Sequence, residues 1–169
     1  INAMEVPVGV NLVKKGKEQR LLFIGKKVYK AGAEQLIEAF VILKQLYPNI
    51  KLDIIGMSAL DFKHLPDGVE CYGYLDKGVE ADRKLFYKLL RESSLFINTT
   101  PKWAAFSATL EAMYFSTPIL VTPSDEFVAT FGEKIDFGSY FLSGDKHKLS
   151  DEIKKIIDDP NYEYLAERA

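Results

Sequence analysis

The sequence predicts an α/β domain with an open, mostly parallel sheet and helices on both faces. Three observations carry this expectation. Short apolar runs such as Leu21-Leu22-Phe23-Ile24 and Pro118-Ile119-Leu120-Val121-Thr122 have strand length. They are continuous rather than alternating, as strands covered on both faces require. Between them lie longer stretches whose apolar residues recur every three or four positions, the helical spacing. Strands alternating with helices form right-handed crossover units and therefore a parallel sheet.

Taken in order, Val6 to Asn11 is extended or turned, because Pro7 and Gly9 oppose helix, and the polar stretch Lys14 to Arg20 is a loop. Leu21 to Ile24 is the first strand, and Gly25 ends it. Lys26, Lys27 and Lys30 follow in a turn, and Gly32 precedes a helix from about Ala33 to Leu46. Leu36, Ile37, Phe40, Leu43 and Leu46 mark its apolar face, and Tyr47-Pro48-Asn49 stops it. Ile50 to Gly56 is the second strand, Met57 to Gly68 a loop, and Val69-Glu70-Cys71-Tyr72 a third strand. Ala81 to Glu92 is an amphipathic helix. Ser94 to Asn98, a short helix carrying Glu111, and Pro118 to Thr122 form a strand–helix–strand unit. A short helix near Glu126 to Phe131, a strand near Ser139 to Leu142 and a helix from Lys146 to Ile157 complete the fold. Asp158-Asp159-Pro160 ends that helix, and Asn161 to Ala169 adds a helical turn or two.

The 169 residues read as one domain, large enough to hold a core without disulfides or metal. The expected organisation is a lead-in segment over residues 1–19, the α/β domain over 20–159 and a helical extension over 160–169. A net charge of −2 gives no electrostatic case for nucleic acid. The single cysteine, Cys71, excludes an internal disulfide and a cysteine zinc site, and its apolar setting predicts a buried, inert thiol. His64 and His147 have no partner pattern and read as solvated. No apolar run approaches the roughly 20 residues that span a bilayer and no leader is visible, so a cytoplasmic location is expected. The sequence carries no Walker loop, no dinucleotide G-x-G-x-x-G and no Ser–His–Asp constellation.

Chemistry concentrates between Asn98 and Thr122. A strand feeding a helix start offers free N–H groups and the positive end of the helix dipole, which favour an anion. An acid further down that helix accepts hydrogen bonds from hydroxyls. In open parallel sheets ligands bind outside the carboxyl ends of the strands. Gly25-Lys26, Gly73-Tyr74 and Thr99 to Ser107 all lie at such ends and converge on one edge. Ser107 is the expected N-cap of the helix before Glu111, a role compatible with phosphate at the neighbouring amides.

Four segments, in order, are similar to one known family. Val6-Pro7-Val8-Gly9-Val10-Asn11 is similar to its I-P-N-G-V-D, and LLFIGKKVYKAGAEQLIEAF to its FVGRLxxxKGxxxLIEAF. ECYGYL resembles its FxGYV, and LEAMYFSTPILVT its LEAMAxGxPVVAT. The chain thus resembles the C-terminal, donor-binding domain of retaining glycosyltransferases of the GT-B fold, the group 1 type. This resemblance implies a Rossmann-like half-enzyme. It implies a nucleoside-diphosphate sugar as donor and transfer of a hexose to a glycan or lipid acceptor with retention. The acceptor site, and any peripheral membrane contact, would belong to an N-terminal domain outside these 169 residues, and the fragment alone is expected to be inactive. Neither cofactor nor metal is implied, because a helix dipole and basic side chains take the leaving diphosphate charge.

The resemblance also implies roles. The family's Arg and Lys for the diphosphate fall on Lys26 and Ala31, and Lys30 reaches the same phosphates if the loop shifts by one residue. Gly25, at the end of the first strand, belongs to the implied donor site, Tyr74 and Leu75 to the loop that meets the base, and the Phe106-Ser107-Ala108 amides face phosphate. Glu111 holds the ribose and, with Lys26, forms the implied catalytic pair. The family's Glu-x7-Glu motif is incomplete: Trp103 replaces the first acid, and no acid occurs between Glu92 and Glu111. Ser116 stands where the family has glycine, and Pro123-Ser124-Asp125-Glu126 replaces a glycine pair. These departures leave three readings open: an altered donor with Trp103 stacking on a sugar or base, a weakened enzyme, or a GT-B-like module that binds or assembles without catalysis. An epimerase or phosphorylase half is a more distant reading.

Overall fold

The computed structural model describes residues 19–100 and 106–169. The lead-in segment and Trp103 lie outside the described residues. Six strands run in the order β1 (Arg20–Ile24), β2 (Lys51–Ile55), β3 (Val69–Cys71), β4 (Leu95–Asn98), β5 (Ile119–Val121) and β6 (Gly138–Tyr140). The helices are α1 (Lys30–Leu46), α2 (Glu80–Glu92), α3 (Ser107–Tyr114), α4 (Asp125–Phe131), α5 (Lys146–Ile157) and α6 (Tyr162–Arg168). All strands are parallel and lie in the order β3-β2-β1-β4-β5-β6. This is the doubly wound order, in which the chain direction across the sheet reverses between β1 and β4.

The period-two alternation of each strand divides the core. Leu21, Phe23, Leu52, Ile54, Leu95, Ile97 and Leu120 face α1 and α5, with Phe40, Leu43 and Ile153 packed among them. Leu22, Ile55, Phe96, Ile119 and Val121 face α2, α3 and α4, where Phe86, Leu90, Ala112 and Phe127 cover them. Both faces are therefore closed, which explains the uninterrupted apolar runs. Cys71 is half-buried against the first cluster, and burial pushes its thiol up to about 11, so it stays protonated and unreactive at neutral pH.

Two boundaries differ from expectation in ways that matter for the site. Helix α1 begins at Lys30, three residues early, so Gly32 lies inside its first turn. There a Cβ would stand 2.4 Å from the Thr100 hydroxyl, and only glycine lets the segment after β4 pass over α1 so closely. Helix α3 is capped by the Phe106 backbone rather than by Ser107, which is already its first helical residue. The Phe106 conformation, at φ −101° and ψ 21°, places the turn one residue earlier than the serine suggested.

A buried charge joins β1, β2 and the residue that follows β3. Asp53 on β2, 1% exposed, accepts two bonds from the Arg20 guanidinium at 3.0 Å and one from the Tyr72 hydroxyl at 3.0 Å. Burial pushes the Asp53 carboxyl above its usual range, against the opposing pull of Arg20 and Tyr72. Removing one partner of such a group leaves the others unsatisfied. Asp53→Ala is expected to lower unfolding stability by about 3 kcal/mol in a urea titration.

At the far end of α3, Thr117 N–H donates to the Ala112 carbonyl at 3.1 Å and Ser116 N–H to Met113 at 2.8 Å. This is a Schellman cap, and it needs a left-handed residue at its turning point. Ser116 supplies it with φ 54°, the one positive φ outside glycine among the described residues. Its Cβ strains that conformation by roughly 1–2 kcal/mol. Glycine would relieve the strain but adds roughly 0.4–1 kcal/mol of unfolded-chain freedom. Ser116→Gly is expected to raise the melting temperature by about 1–4 °C in a thermal scan; a lowered value would contradict the strained cap.

Candidate functional site

The site starts where β1 and β4 separate. β1 pairs with β2 along five residues but with β4 only through Leu21–Leu95 and Leu22–Phe96. Beyond these the connections diverge, one toward α1 and the other toward α3. Between them opens a cleft of about 950 Å³, lined by Gly25, Lys26, Tyr74, Leu75, Asn98, Ser107 to Thr109 and Glu111, among others. This volume suits a nucleotide-sized ligand.

Backbone packing fixes the cleft floor. Gly25 N–H donates to the Ile55 carbonyl at 2.9 Å, Gly56 N–H to Gly73 at 2.7 Å and Gly73 N–H to Met57 at 2.9 Å. Three strand ends are thereby laced together. Gly56 has φ +99°, and a Cβ there would meet the Gly25 carbonyl oxygen at 2.4 Å, so both its conformation and its neighbour demand glycine.

The three lysines after β1 go different ways. Lys26 lines the cleft, and its ammonium has no ion-pair partner among the described residues. Lys27 turns outward to Asp61 at 2.9 Å, and with Ser58 it holds that carboxyl down at about 2. Lys30 is the first residue of α1 and pairs with Glu34 one turn later, at 3.2 Å. It is outside the cleft lining, a direct result of the early start of the helix.

On the opposite wall, Ser107, Ala108 and Thr109 form the first turn of α3. No side chain of the described residues caps this turn, and the first helical bond is donated by Leu110 N–H to the Phe106 carbonyl. The three preceding N–H groups are therefore the helix's unpaired donors. Phe106 itself packs its ring on Phe127, 5.4 Å between centroids, and its side chain is not part of the cleft lining. Thr109 is 1% exposed and its hydroxyl has no hydrogen-bond partner among the described residues, though it borders the cleft. A buried hydroxyl without a partner is uncommon and points to a group supplied from outside.

Glu111 follows Ser107 by four residues, about 6 Å along the helix. Its carboxylate, 16% exposed, accepts from Lys77 Nζ at 2.5 Å. Tyr74, 75% exposed, stands at the lip, whereas Leu75 is buried and joins the core behind it. Lys77, Arg83 and Thr109 are among the lining residues that sequence reasoning missed. The signal for Lys77 was the Asp76-Lys77-Gly78 turn, directly after the Gly73-Tyr74 strand end. Nothing in the sequence showed that α2 would aim Arg83 into the same cleft. The lining thus carries three cations, Lys26, Lys77 and Arg83, against Asp76 and Glu111. Among the described residues no three His, Cys, Asp or Glu side chains form a metal-ligating cluster, and no helix is long and apolar enough to cross a membrane.

Several solved structures share this fold. WaaG, a glycosyltransferase involved in lipopolysaccharide biosynthesis, matches with a TM-score of 0.70 at 21% identity, over 90% of this chain and 42% of that one. The pneumococcal O-GlcNAc transferase GtfA, in complex with UDP and GlcNAc, matches with 0.68 at 13% identity, over 92% of this chain and 33% of that one. Anabaena Alr3699/HepE, in complex with UDP and glucose, matches with 0.68 at 16% identity, over 91% and 43%. The chain therefore spans between one third and less than one half of the length of these structures. They establish the fold as a Rossmann-like domain of the GT-B type. A comparison with curated protein sequences finds no match. The family model for glycosyl transferases group 1 matches residues 10–169, nearly the whole chain, and the chain belongs to that family.

Proposed function

We propose that this domain binds the nucleoside-diphosphate sugar donor of a glycosyltransferase that passes a hexose to a glycan or lipid acceptor with retention. One observation carries the reading: Lys26, the uncapped start of α3 and Glu111 line a single cleft at the point where the sheet reverses. Each has a matching part on the donor. Lys26 and the amides of residues 107–109 meet the diphosphate, where the helix dipole adds its own attraction. Glu111 accepts from the ribose hydroxyls, and the exposed Tyr74 beside Leu75 meets the base. Gly25 lets the β1 turn approach the phosphates.

In transfer, the bond from the anomeric carbon to the phosphate oxygen breaks, and the diphosphate leaves with its electrons. Lys26 and the α3 dipole are placed to stabilise that developing charge, the effect that most lowers such barriers. The acceptor hydroxyl and the groups that activate it come from outside this domain. UDP is bound in two of the three structures named above, and it is the first nucleotide to test.

Trp103 favours a second reading. The acid expected there is absent, and a module that binds donor without transfer is consistent with that loss. Activity of the full-length protein separates the two: sugar transfer from a bound donor supports the first, and binding without hydrolysis or transfer supports the second.

The binding assignment is tested by calorimetric titration of the full-length protein with UDP-, GDP- and ADP-sugars. One of these is expected to bind, and Glu111→Gln to weaken it by about 10- to 100-fold, the worth of hydrogen bonds to a charged group. Lys26→Ala is expected to cost at least about tenfold, with greater loss at low salt. No binding by any nucleotide-sugar, or unchanged affinity in both variants, would overturn the assignment.

A further inference from the structure

Lys77 lies on the connection from β3 to α2 and lines the same cleft as Lys26. Its backbone is held from several sides. Arg83 donates to the Lys77 carbonyl at 3.0 Å, the Asp76 carboxylate accepts from Gly78 N–H at 2.8 Å, and Asp82 accepts from Asp76 N–H at 3.0 Å. Its side chain is anchored at its tip alone. The ammonium rests on Glu111 Oε1 and lies 4.3 Å from the Phe86 ring centroid.

We propose that Lys77 is the second diphosphate-binding cation of this cleft, and that it reaches the phosphates by exchange. The ribose hydroxyls take the Glu111 carboxylate, and the ammonium they displace moves to the diphosphate. This rests on the donor reading above and adds a residue to it.

Three considerations support the exchange. The first is charge. A nucleotide-sugar diphosphate carries two negative charges, and of the three lysines after β1 only Lys26 lines the cleft. The start of α3 adds about half a charge, which leaves the second phosphate under-compensated. Arg83 is already held on a carbonyl oxygen, and Lys77 is the remaining lining cation. The second is reach. Glu111 and the first amide of α3 are about 6 Å apart along the helix, a distance that a flexible four-carbon stem covers by rotamer change. The third is that no group is left unsatisfied. A carboxylate only 16% exposed would resist losing its partner, but here it trades an ammonium for hydroxyl donors in the same step.

The test is calorimetric titration of UDP and of uridine into the full-length protein and its Lys77→Met, Lys77→Gln and Lys77→Arg variants. Thermal midpoints are recorded alongside to show that each variant folds. Lys77→Met and Lys77→Gln are expected to weaken UDP by about 10- to 100-fold and to leave uridine binding unchanged or tighter, because uridine no longer has to displace the ammonium. Lys77→Arg should recover most of the UDP affinity, because it keeps the charge and the donors. UDP binding that is unchanged or tighter in Lys77→Met would overturn the exchange and make Lys77 a plug on Glu111. Equal losses for UDP and uridine would also overturn it, because the lysine would then be shaping the carboxylate and not meeting phosphate. If the parent binds UDP no better than uridine, the donor reading falls together with it.

Discussion

The cleft depends on how little of β4 pairs with β1. Two register pairs bind their amino halves, and beyond them the two strands lead to helices on opposite faces of the sheet. Had the pairing continued to Asn98, the turn after β1 and the start of α3 would sit side by side with no space between. The sheet order makes the opening, and the glycines at the strand ends keep its floor close-packed. The binding geometry therefore follows from topology before any side chain is considered.

Side chains then select what the opening can hold. The early start of α1 fixes the fate of a cation: as the first helical residue, Lys30 finds Glu34 one turn on and leaves the cleft to Lys26. The opposite wall compensates from a different element, with Lys77 and Arg83 on the β3–α2 connection. On the proposed donor reading the cleft needs such a balance, because the Glu111 carboxylate in its lining would otherwise repel a diphosphate bound there. The Lys77–Glu111 ion pair places that proposed compensating cation against the carboxylate itself.

Much of this was legible in the sequence. Strand and helix identities follow from period and length, and the convergence of three strand ends follows from the parallel arrangement. The placement of Gly25, Lys26, Ser107 and Glu111 on one cleft came from that convergence. What was not legible depends on long-range packing. Gly32 lies within a helix because Thr100 crosses above it, which no local pattern encodes. Asp53 in the midst of an apolar strand is explained only by Arg20 and Tyr72 on its neighbours. Ser107 looked like a cap, yet the chain turned one residue earlier, at Phe106, whose ring is drawn onto Phe127. Ser116 illustrates the converse: the departure from glycine was visible, but its meaning needed the Schellman cap that holds it at positive φ.

The central claim is that the β1 turn and the start of α3 grip one diphosphate together. Backbone amide chemical shifts during a UDP titration test it most directly. The account predicts that Lys26, Ser107, Ala108 and Thr109 move together, with one apparent affinity, while amides of α5 stay still. Shifts confined to one wall of the cleft, or largest on the α1–α5 face, would contradict it.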